Sequence, residues 1–193
     1  MTTRQKAKRT ILTFHGVDAA RMLFGLGRYA RALAILQKVL TRNPRNRDAL
    51  LLMAAVLSHK GRVKEALNIV QSVLAEGPRD YEALLSKAEI CSLCDQNEEA
   101  LRLFARLGRR KTIPSKERRY LYAAWLATLI GAKRWRVATR VLHGAIREFP
   151  RDRGFLSYSG IIARRLAGAE RSLCAPGRKS AILRTLPARW ILS

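Results

Sequence analysis

Two stretches of the chain, GRYARALAILQKVLTRNP at 27–44 and GRVKEALNIVQSVLAEGP at 61–78, follow one pattern of apolar and polar positions 34 residues apart. Their shared apolar residues recur at spacings of three and four, which predicts an α-helix with one buried face. A proline ends each stretch, because proline disfavours helical geometry in the residue before it. The matched pairs are Gly27 with Gly61, Arg28 with Arg62, Ala32 with Ala66, Leu33 with Leu67, Leu36 with Val70, Val39 with Val73 and Pro44 with Pro78.

A second helical pattern precedes each of the two glycines. Each repeat is therefore predicted to be a helix, a tight glycine-containing turn, a second helix and a proline. The small side chains of Ala32 and Ala66 let the two helices of a repeat approach closely. The apolar residues of the preceding helices are Val17, Ala20, Leu23 and Phe24 before Gly27, and Leu50, Met53, Ala54 and Leu57 before Gly61.

This arrangement resembles the tetratricopeptide repeat, which has a 34-residue period and small, aromatic and proline positions. The resemblance implies an all-α fold, a right-handed superhelical solenoid of stacked antiparallel helix pairs. The family's glycine falls on Gly27 and Gly61, its aromatic on Tyr29 but on Val63 in the second copy, its alanine on Ala32 and Ala66, and its proline on Pro44 and Pro78.

Further repeats follow with a weaker match. Ala100 takes the alanine position of a third repeat, with Asp95 in place of the turn glycine. Ala138 takes that position in a fourth, 38 residues after Ala100, so about four residues are inserted between them. The predicted domains are a basic, flexible N-terminus at 1–12, a repeat domain at 13–167 with repeats at 13–46, 47–80, 81–114, 119–152 and a partial one at 153–167, and an irregular basic tail or capping helix at 168–193.

First helices line the concave surface in this family, so the resemblance indicates which residues contact a partner. The lysine and asparagine that clamp a C-terminal carboxylate in the heat-shock co-chaperones are absent, because Val17, Leu51, Leu85 and Ala123 occupy those places. An apolar line of this kind suits an extended or amphipathic helical segment of a protein partner, although packing between helices is the alternative. The predicted groove residues are Phe14, Val17, Arg21, Phe24, Leu51, Ala55, Leu85, Glu89, Tyr120, Ala123 and Ala127.

The resemblance therefore implies a non-catalytic protein-interaction module, an adaptor, chaperone or assembly factor. Small bacterial members of the family often assist secretion systems or pili, which such a groove would allow. Function is not fixed by fold, however, and the assignment rests on analogy.

The charge of the chain suggests an alternative. The formal net charge is +24, and half of the acidic residues lie within 76–99. Such a field attracts nucleic acid, anionic lipid or an acidic protein surface, and it can equally reflect composition alone. The alternative function is therefore that of a nucleic-acid-associated protein. The charges could instead belong to a solvated helix face and loop that binds nothing. The predicted anion contacts are Arg109, Arg110, Lys111, Lys116, Arg118 and Arg119.

The sequence offers little for catalysis. Cys91 and Cys94 form a CxxC, but no second cysteine or histidine pair accompanies them, so core packing is favoured over a metal or redox role. His15, His59 and His143 occupy unrelated positions, and no phosphate-binding loop is present. We therefore expect no enzymatic activity and no cofactor.

The apolar runs at 49–57 and 120–132 are shorter than the ~20 residues that a membrane-spanning helix needs. With no secretory signal recognised, we expect a soluble, cytoplasmic protein. The tail contains Trp190, Ile191 and Leu192, which predict either docking onto the last helix or self-association.

Overall fold

The computed structural model describes residues 16–110 and 112–173. Nine helices and no strand occur in these residues, and they are numbered α1 to α9 in chain order. The helices are α1 (residues 16–25), α2 (Tyr29–Arg42), α3 (Arg47–His59), α4 (Val63–Glu76), α5 (Tyr81–Leu93), α6 (Asn97–Gly108), α7 (Ser115–Gly131), α8 (Trp135–Glu148) and α9 (Arg153–Leu173).

The chain divides into two compact units between Leu107 and Gly108. In the N-terminal unit, α3 packs against α2, α4 and α5, and α4 also packs against α5. In the C-terminal unit, α8 packs against α7 and α9, which also contact each other. Each unit is thus built of stacked antiparallel helix pairs, and the all-α fold class predicted from the sequence is confirmed.

The turn inside each helix pair has the same backbone geometry. Gly27 and Gly61 have φ values of 71° and 77°, and Asp95 and Lys133 take the equivalent place with 60° and 56°. The residue after each of them donates its amide to a carbonyl five residues earlier; the amide of Arg28, for example, donates to the carbonyl of Leu23 at 2.8 Å. A left-handed residue followed by such a bond is the Schellman ending of a helix. Four helices therefore end in one way, although only two of the turns contain glycine.

The starts of α3, α5 and α9 are each fixed by a polar side chain. Asn46 and Asp80 accept a hydrogen bond from the backbone amide three residues later, at 2.9 Å in both cases. Asp152 caps α9, accepting from the amide of Gly154 at 2.8 Å and from that of Phe155, three residues later, at 3.3 Å. These N-caps satisfy amides that have no partner within the helix. Three helices therefore begin in one way, whereas α7 begins after Pro114, which supplies no side-chain cap.

The core consists of positions that recur with the repeat period. Small side chains allow close approach of the helices, and a larger apolar residue fills the space beside each. All of the small residues are fully buried, and the larger ones are at most 2% exposed. The small residues are Ala20, Ala54 and Ala88 on first helices and Ala32, Ala66, Ala100 and Ala138 on second helices, and the larger ones are Leu36, Val70, Phe104 and Leu142.

The C-terminal unit has the same plan with larger side chains. Tyr122, Phe149 and Phe155 form a cluster with ring centroids 6.0–6.4 Å apart. The side chain of Trp125 lies against Gly108, so that an added Cβ there would come within 2.8 Å of the ring. Aromatic rings in these arrangements bury large apolar areas. This core is therefore filled partly by rings.

The four-residue insertion appears at the start of α7. This helix has 17 residues, whereas α3 and α5 have 13 each. Arg119 lies 72 residues after Arg47 and takes the same position relative to the core alanines Ala138 and Ala66. Residues 115–118 therefore form one additional helical turn, since a turn contains 3.6 residues.

The described chain ends within the predicted tail. α9 continues to Leu173, so residues 168–173, which the sequence assigns to an irregular tail or capping helix, are helical. The flexible N-terminus predicted at 1–12 and the hydrophobic end of the tail lie outside the described residues. Among the residues that the structure describes, no helix is both long enough and apolar enough to span a membrane.

Candidate protein-binding surface

Three of the predicted groove residues are buried. Val17, Leu51 and Leu85, which are 34 residues apart on α1, α3 and α5, have exposed fractions of only 6%, 7% and 7%. Side chains with so little exposure pack between helices and offer almost no area to a ligand. The packing alternative considered for this apolar line therefore describes these three residues, and their part in partner binding stays a prediction.

Other predicted groove residues of the N-terminal unit are accessible. Arg21 on α1 is exposed, whereas Phe24, Ala55 and Glu89 are half-buried on α1, α3 and α5. Phe14 lies outside the described residues. The accessible chemistry on these first helices is thus one aromatic ring, one small apolar residue and charges of both signs.

The ring of Phe24 belongs to an aromatic cluster. Its centroid lies 5.8 Å from that of Tyr29 and 5.0 Å from the imidazole of His59, which meets it edge to face. His59 is held in place by a contact of 3.0 Å between its Nδ1 and the carbonyl oxygen of Ala55. Edge-to-face contacts between aromatic rings are energetically favourable. Phe24 therefore presents a partly exposed ring on a fixed support.

An ion-pair network connects the starts of α3 and α5. Arg47 donates from Nε and Nη2 to the carboxylate of Asp80, the latter bond being 2.6 Å, and from Nη1 to Glu82 at 2.6 Å and Asp48 at 3.0 Å. The hydrogen bonds from Arg47 hold the pKa of Asp80 below its usual range, partly opposed by burial. The same carboxylate caps α5, so one side chain fixes both the helix start and the neighbouring repeat.

Sequence reasoning missed this network. Arg119 makes an equivalent pair with Asp152, and in both cases the partners are 33 residues apart. The guanidinium of Arg119 lowers the pKa of Asp152 in the same way. An arginine and an aspartate recurring at one separation is a signal that the sequence contains. It would have predicted both pairs.

The groove residues predicted in the C-terminal unit lie on α7, and they differ in how far their side chains are exposed. Tyr120 has an exposed fraction of 54%, Ala127 is also exposed, and Ala123 is half-buried. Tyr120 and Ala127 are seven residues apart on one helix, so they lie close to one face of it. These three residues present an accessible, mostly apolar face, and their contact with a partner stays a prediction.

The predicted anion contacts do not form one free cationic cluster. Arg118 donates to the carbonyl of Ile113 at 3.1 Å and pairs with Glu148 at 3.2 Å, and Arg119 is engaged with Asp152. Arg109 and Lys116 are exposed and Arg110 is half-buried, whereas Lys111 lies outside the described residues. At least two of these cations are thus engaged within the unit, and phosphate binding by the group stays a prediction.

The two cysteines of the CxxC lie in the core region. Cys91 is buried, and burial is the main cause that raises the pKa of its thiol to about 11. Cys94 is half-buried, its pKa is also raised by burial, and its thiol donates to the carbonyl of Ile90 at 2.8 Å. Protonated thiols are poor nucleophiles and poor metal ligands. No group of three or more histidine, cysteine, aspartate or glutamate residues that could hold a metal occurs among the described residues.

Comparison with known proteins gives a family match over part of the chain. Residues 23–90 match the family model described as tetratricopeptide repeat. A search of curated protein sequences gave no significant match.

Solved structures with the same fold include three proteins of low sequence identity. One is pilF of Pseudomonas aeruginosa, with a TM-score of 0.69, 16% identity, and coverage of 83% of this chain and 72% of that one. The second is a tetratricopeptide repeat protein of Parabacteroides merdae, with a TM-score of 0.68, 19% identity, and coverage of 85% of this chain and 60% of that one. This chain therefore spans less than two thirds of the Parabacteroides protein.

The third is YrrB, described as a tetratricopeptide repeat protein with an unusual peptide-binding site. Its TM-score is 0.52 at 16% identity, with coverage of 82% of this chain and 79% of that one. At such identities the likeness gives the fold alone. The resemblance drawn from the sequence is confirmed: residues 23–90 match the tetratricopeptide repeat, and the chain has the fold of tetratricopeptide repeat proteins.

Proposed function

We propose that this protein is a non-catalytic protein-interaction module, which holds a segment of a protein partner on the faces of its first helices. The observation that carries the proposal is the division among the predicted groove residues of the N-terminal unit. Val17, Leu51 and Leu85 are buried and pack between the helices. Phe24 and Ala55 remain partly accessible beside them. Amphipathic helical segments bind where apolar contacts are accessible on a folded surface.

The accessible residues favour an extended or amphipathic helical segment as the ligand. The supported ring of Phe24 offers an apolar contact, and Arg21 and Glu89 offer charges of opposite sign on α1 and α5. Polar groups around an apolar contact fix the orientation of a bound segment. YrrB, which has the same fold, is described as having a peptide-binding site. Binding of a peptide is thus compatible with helix pairs of this kind.

Within this class we propose the role of adaptor, chaperone or assembly factor. All three roles require one rigid protein to hold a segment of another without chemical change. Assistance to a secretion system or pilus is one such role, as the family resemblance implies. Binding energy in these contacts is concentrated in a few side chains near the centre of the surface. Substitution of those side chains therefore tests the proposal.

The test is affinity capture from the native host with a variant of the first helices. Ala55→Arg combined with Glu89→Arg adds three positive charges to the proposed surface. The matched control is Ala75→Arg combined with Glu76→Arg, which adds the same charge on exposed positions of α4. We expect the first variant to lose a captured partner at least about fivefold, and the control to keep it within about twofold.

Two outcomes contradict the proposal. One is equal recovery of every captured protein with both variants, which would mean that the first helices do not contact a partner. The other is equal loss with both variants, which would mean that added charge rather than the surface disrupts capture. Circular dichroism of each variant excludes unfolding as the cause.

A further inference from the structure

A row of basic side chains lies along the exposed face of α8. Arg136, Arg140, His143 and Arg147 are all exposed, and their spacings of four, three and four residues place them on one side of the helix. The row is about 16 Å long, since the helix rises 1.5 Å per residue. These four residues are called the α8 stripe.

No acidic side chain neutralises the stripe within the part of the chain that the structure describes. None of its four members has an ion pair or hydrogen bond from its side chain there. The two nearest carboxylates in sequence are engaged elsewhere. Glu148 pairs with Arg118 at 3.2 Å and also interacts with the hydroxyl of Tyr122, and Asp152 pairs with Arg119. The positive field of the stripe is therefore left facing solvent.

The fold does not require this row of charges. The same positions on α4, the matching helix of the second repeat, are occupied by Lys64, Asn68, Gln71 and Ala75. On α2 they are Ala30, Ala34, Gln37 and Thr41. Basic side chains three or four residues apart on a helix repel each other when both are charged, which lowers helix stability slightly. α8 keeps like charges together at positions where α2 and α4 do not.

We propose that the α8 stripe binds an acidic helix of a protein partner, one with carboxylates at the same spacing of four, three and four residues. Guanidinium groups bind carboxylates through paired hydrogen bonds, and a straight row at helical spacing fits a second row of the same spacing. This surface lies on a second helix of a pair, so it is separate from the first-helix faces of the proposed function. A protein with both surfaces binds two segments.

The neighbouring side chains favour a protein over a membrane or a single-stranded nucleic acid. Peripheral membrane helices insert large apolar residues beside their basic ones. The exposed large apolar residues described in the C-terminal unit are Tyr120, Leu156 and Ile161, and none is on α8. Single strands bind through exposed stacking rings. The aromatic residue of α8, Trp135, is half-buried at its start.

The test uses two synthetic helical peptides of identical composition. The first has four glutamates at spacings of four, three and four on one face, and the second has the same glutamates distributed around the helix. Binding to the full chain is measured by fluorescence anisotropy at low ionic strength. The stripe variant carries Arg136→Gln, Arg140→Gln and Arg147→Gln. The control variant carries Arg151→Gln, Arg153→Gln and Arg165→Gln, which removes the same charge from other exposed positions of the unit.

We expect the first peptide to bind the unmodified protein about fivefold more tightly than the second, and the stripe variant to bind it about tenfold more weakly. The control variant should lose less than about threefold, because only long-range attraction changes. Equal losses in the two variants, or equal binding of the two peptides, would overturn the proposal.

Nucleic acid and membrane are tested with the same variants. A short DNA duplex and vesicles containing an anionic phospholipid replace the peptides. If either binds more tightly than the first peptide and loses as much affinity in the stripe variant, the surface belongs to that ligand and the acidic-helix proposal is wrong. Thermal melting of both variants confirms that each is folded.

Discussion

The two compact units share one packing plan and differ in charge. Both place a fully buried alanine on the second helix of a pair, Ala66 in one and Ala138 in the other. Residues 16–107 carry 14 basic and 10 acidic side chains, whereas residues 108–167 carry 15 and 3. The buried positions therefore specify the fold in both units, while the exposed positions can differ in charge and acquire binding properties. Substitutions at matched positions test this separation.

The largest effect is expected in the core, and it should be alike in both units. Leu36→Ala and Leu142→Ala remove the same side chain from equivalent positions that are 0% and 2% exposed. Each should lower the free energy of unfolding by about 2–5 kcal/mol, because lost burial is combined with a cavity. Urea unfolding followed by circular dichroism measures the change.

Gln37→Ala and His143→Ala are the matched controls, since each affects an exposed neighbour on the same helix. Both should change stability by less than about 0.5 kcal/mol. If Leu142→Ala cost no more than its control, the shared packing plan would not extend to the C-terminal unit.

The next effect concerns the paired N-caps. Asp80→Ala removes a helix cap and the partner of Arg47, and should cost about 2 kcal/mol at neutral pH. Asp152→Ala should cost less, because Arg119 lacks the additional carboxylates that surround Arg47. Thermal unfolding of the two variants decides this, and a larger loss for Asp152→Ala would contradict it.

The same carboxylate predicts a dependence on pH. The pKa of Asp80 is lowered in the folded state, so its stabilisation is present above its unfolded pKa and is lost as the pH falls through the lower folded value. The melting temperature should therefore drop below about pH 4. Asp80→Asn keeps an oxygen for the cap but does not titrate, so its drop should be smaller. An equal drop would assign the acid sensitivity to other groups.

A smaller effect is expected at the turns. Asp95→Gly and Lys133→Gly should each stabilise the protein by about 0.5–1 kcal/mol, because φ values of 60° and 56° are strained for side chains and ordinary for glycine. Gly61→Ala, where φ is 77°, should destabilise by a similar amount. Chemical unfolding at neutral pH measures all three. Destabilisation by Lys133→Gly would mean that its side chain contributes more than its backbone costs.

The smallest effect is expected from exposed charges on the matching helices α8 and α4. Arg140→Gln should raise stability by a few tenths of a kcal/mol at low salt, because it removes like-charge repulsion on α8. Asn68→Arg, at the matching place on α4, should be nearly neutral or slightly destabilising near Lys64. Both changes should fade at high salt, where charges are screened. An effect of Arg140→Gln that persisted in high salt would have another cause.

The 34-residue period made the helix pairs predictable, and Gly27 and Gly61 located their turns. Even Asp95 could be assigned to a turn, because its position in the period outweighs its residue type. The place of the four-residue insertion was also apparent. The structure of the insertion was not apparent, since residues 115–118 could equally have formed a loop. They extend α7 by one turn.

The candidate surface was less predictable than the fold. An apolar residue on a first helix suits both a groove and the interior, and the sequence does not say how far a neighbouring helix covers it. Leu51 and Leu85 are 7% exposed, whereas Ala55, one turn after Leu51, is half-buried. The difference depends on helix rotation of a few tens of degrees, which no residue pattern specifies.

The tight turns also bear on how fast the chain folds. Each turn joins helices that are partners in the core, and most contacts are between residues fewer than 12 positions apart. Little chain entropy is lost when such contacts close, and proteins dominated by them fold within microseconds to milliseconds. We therefore expect a single helix pair, such as α3 with α4, to act as a nucleus from which folding spreads to its neighbours.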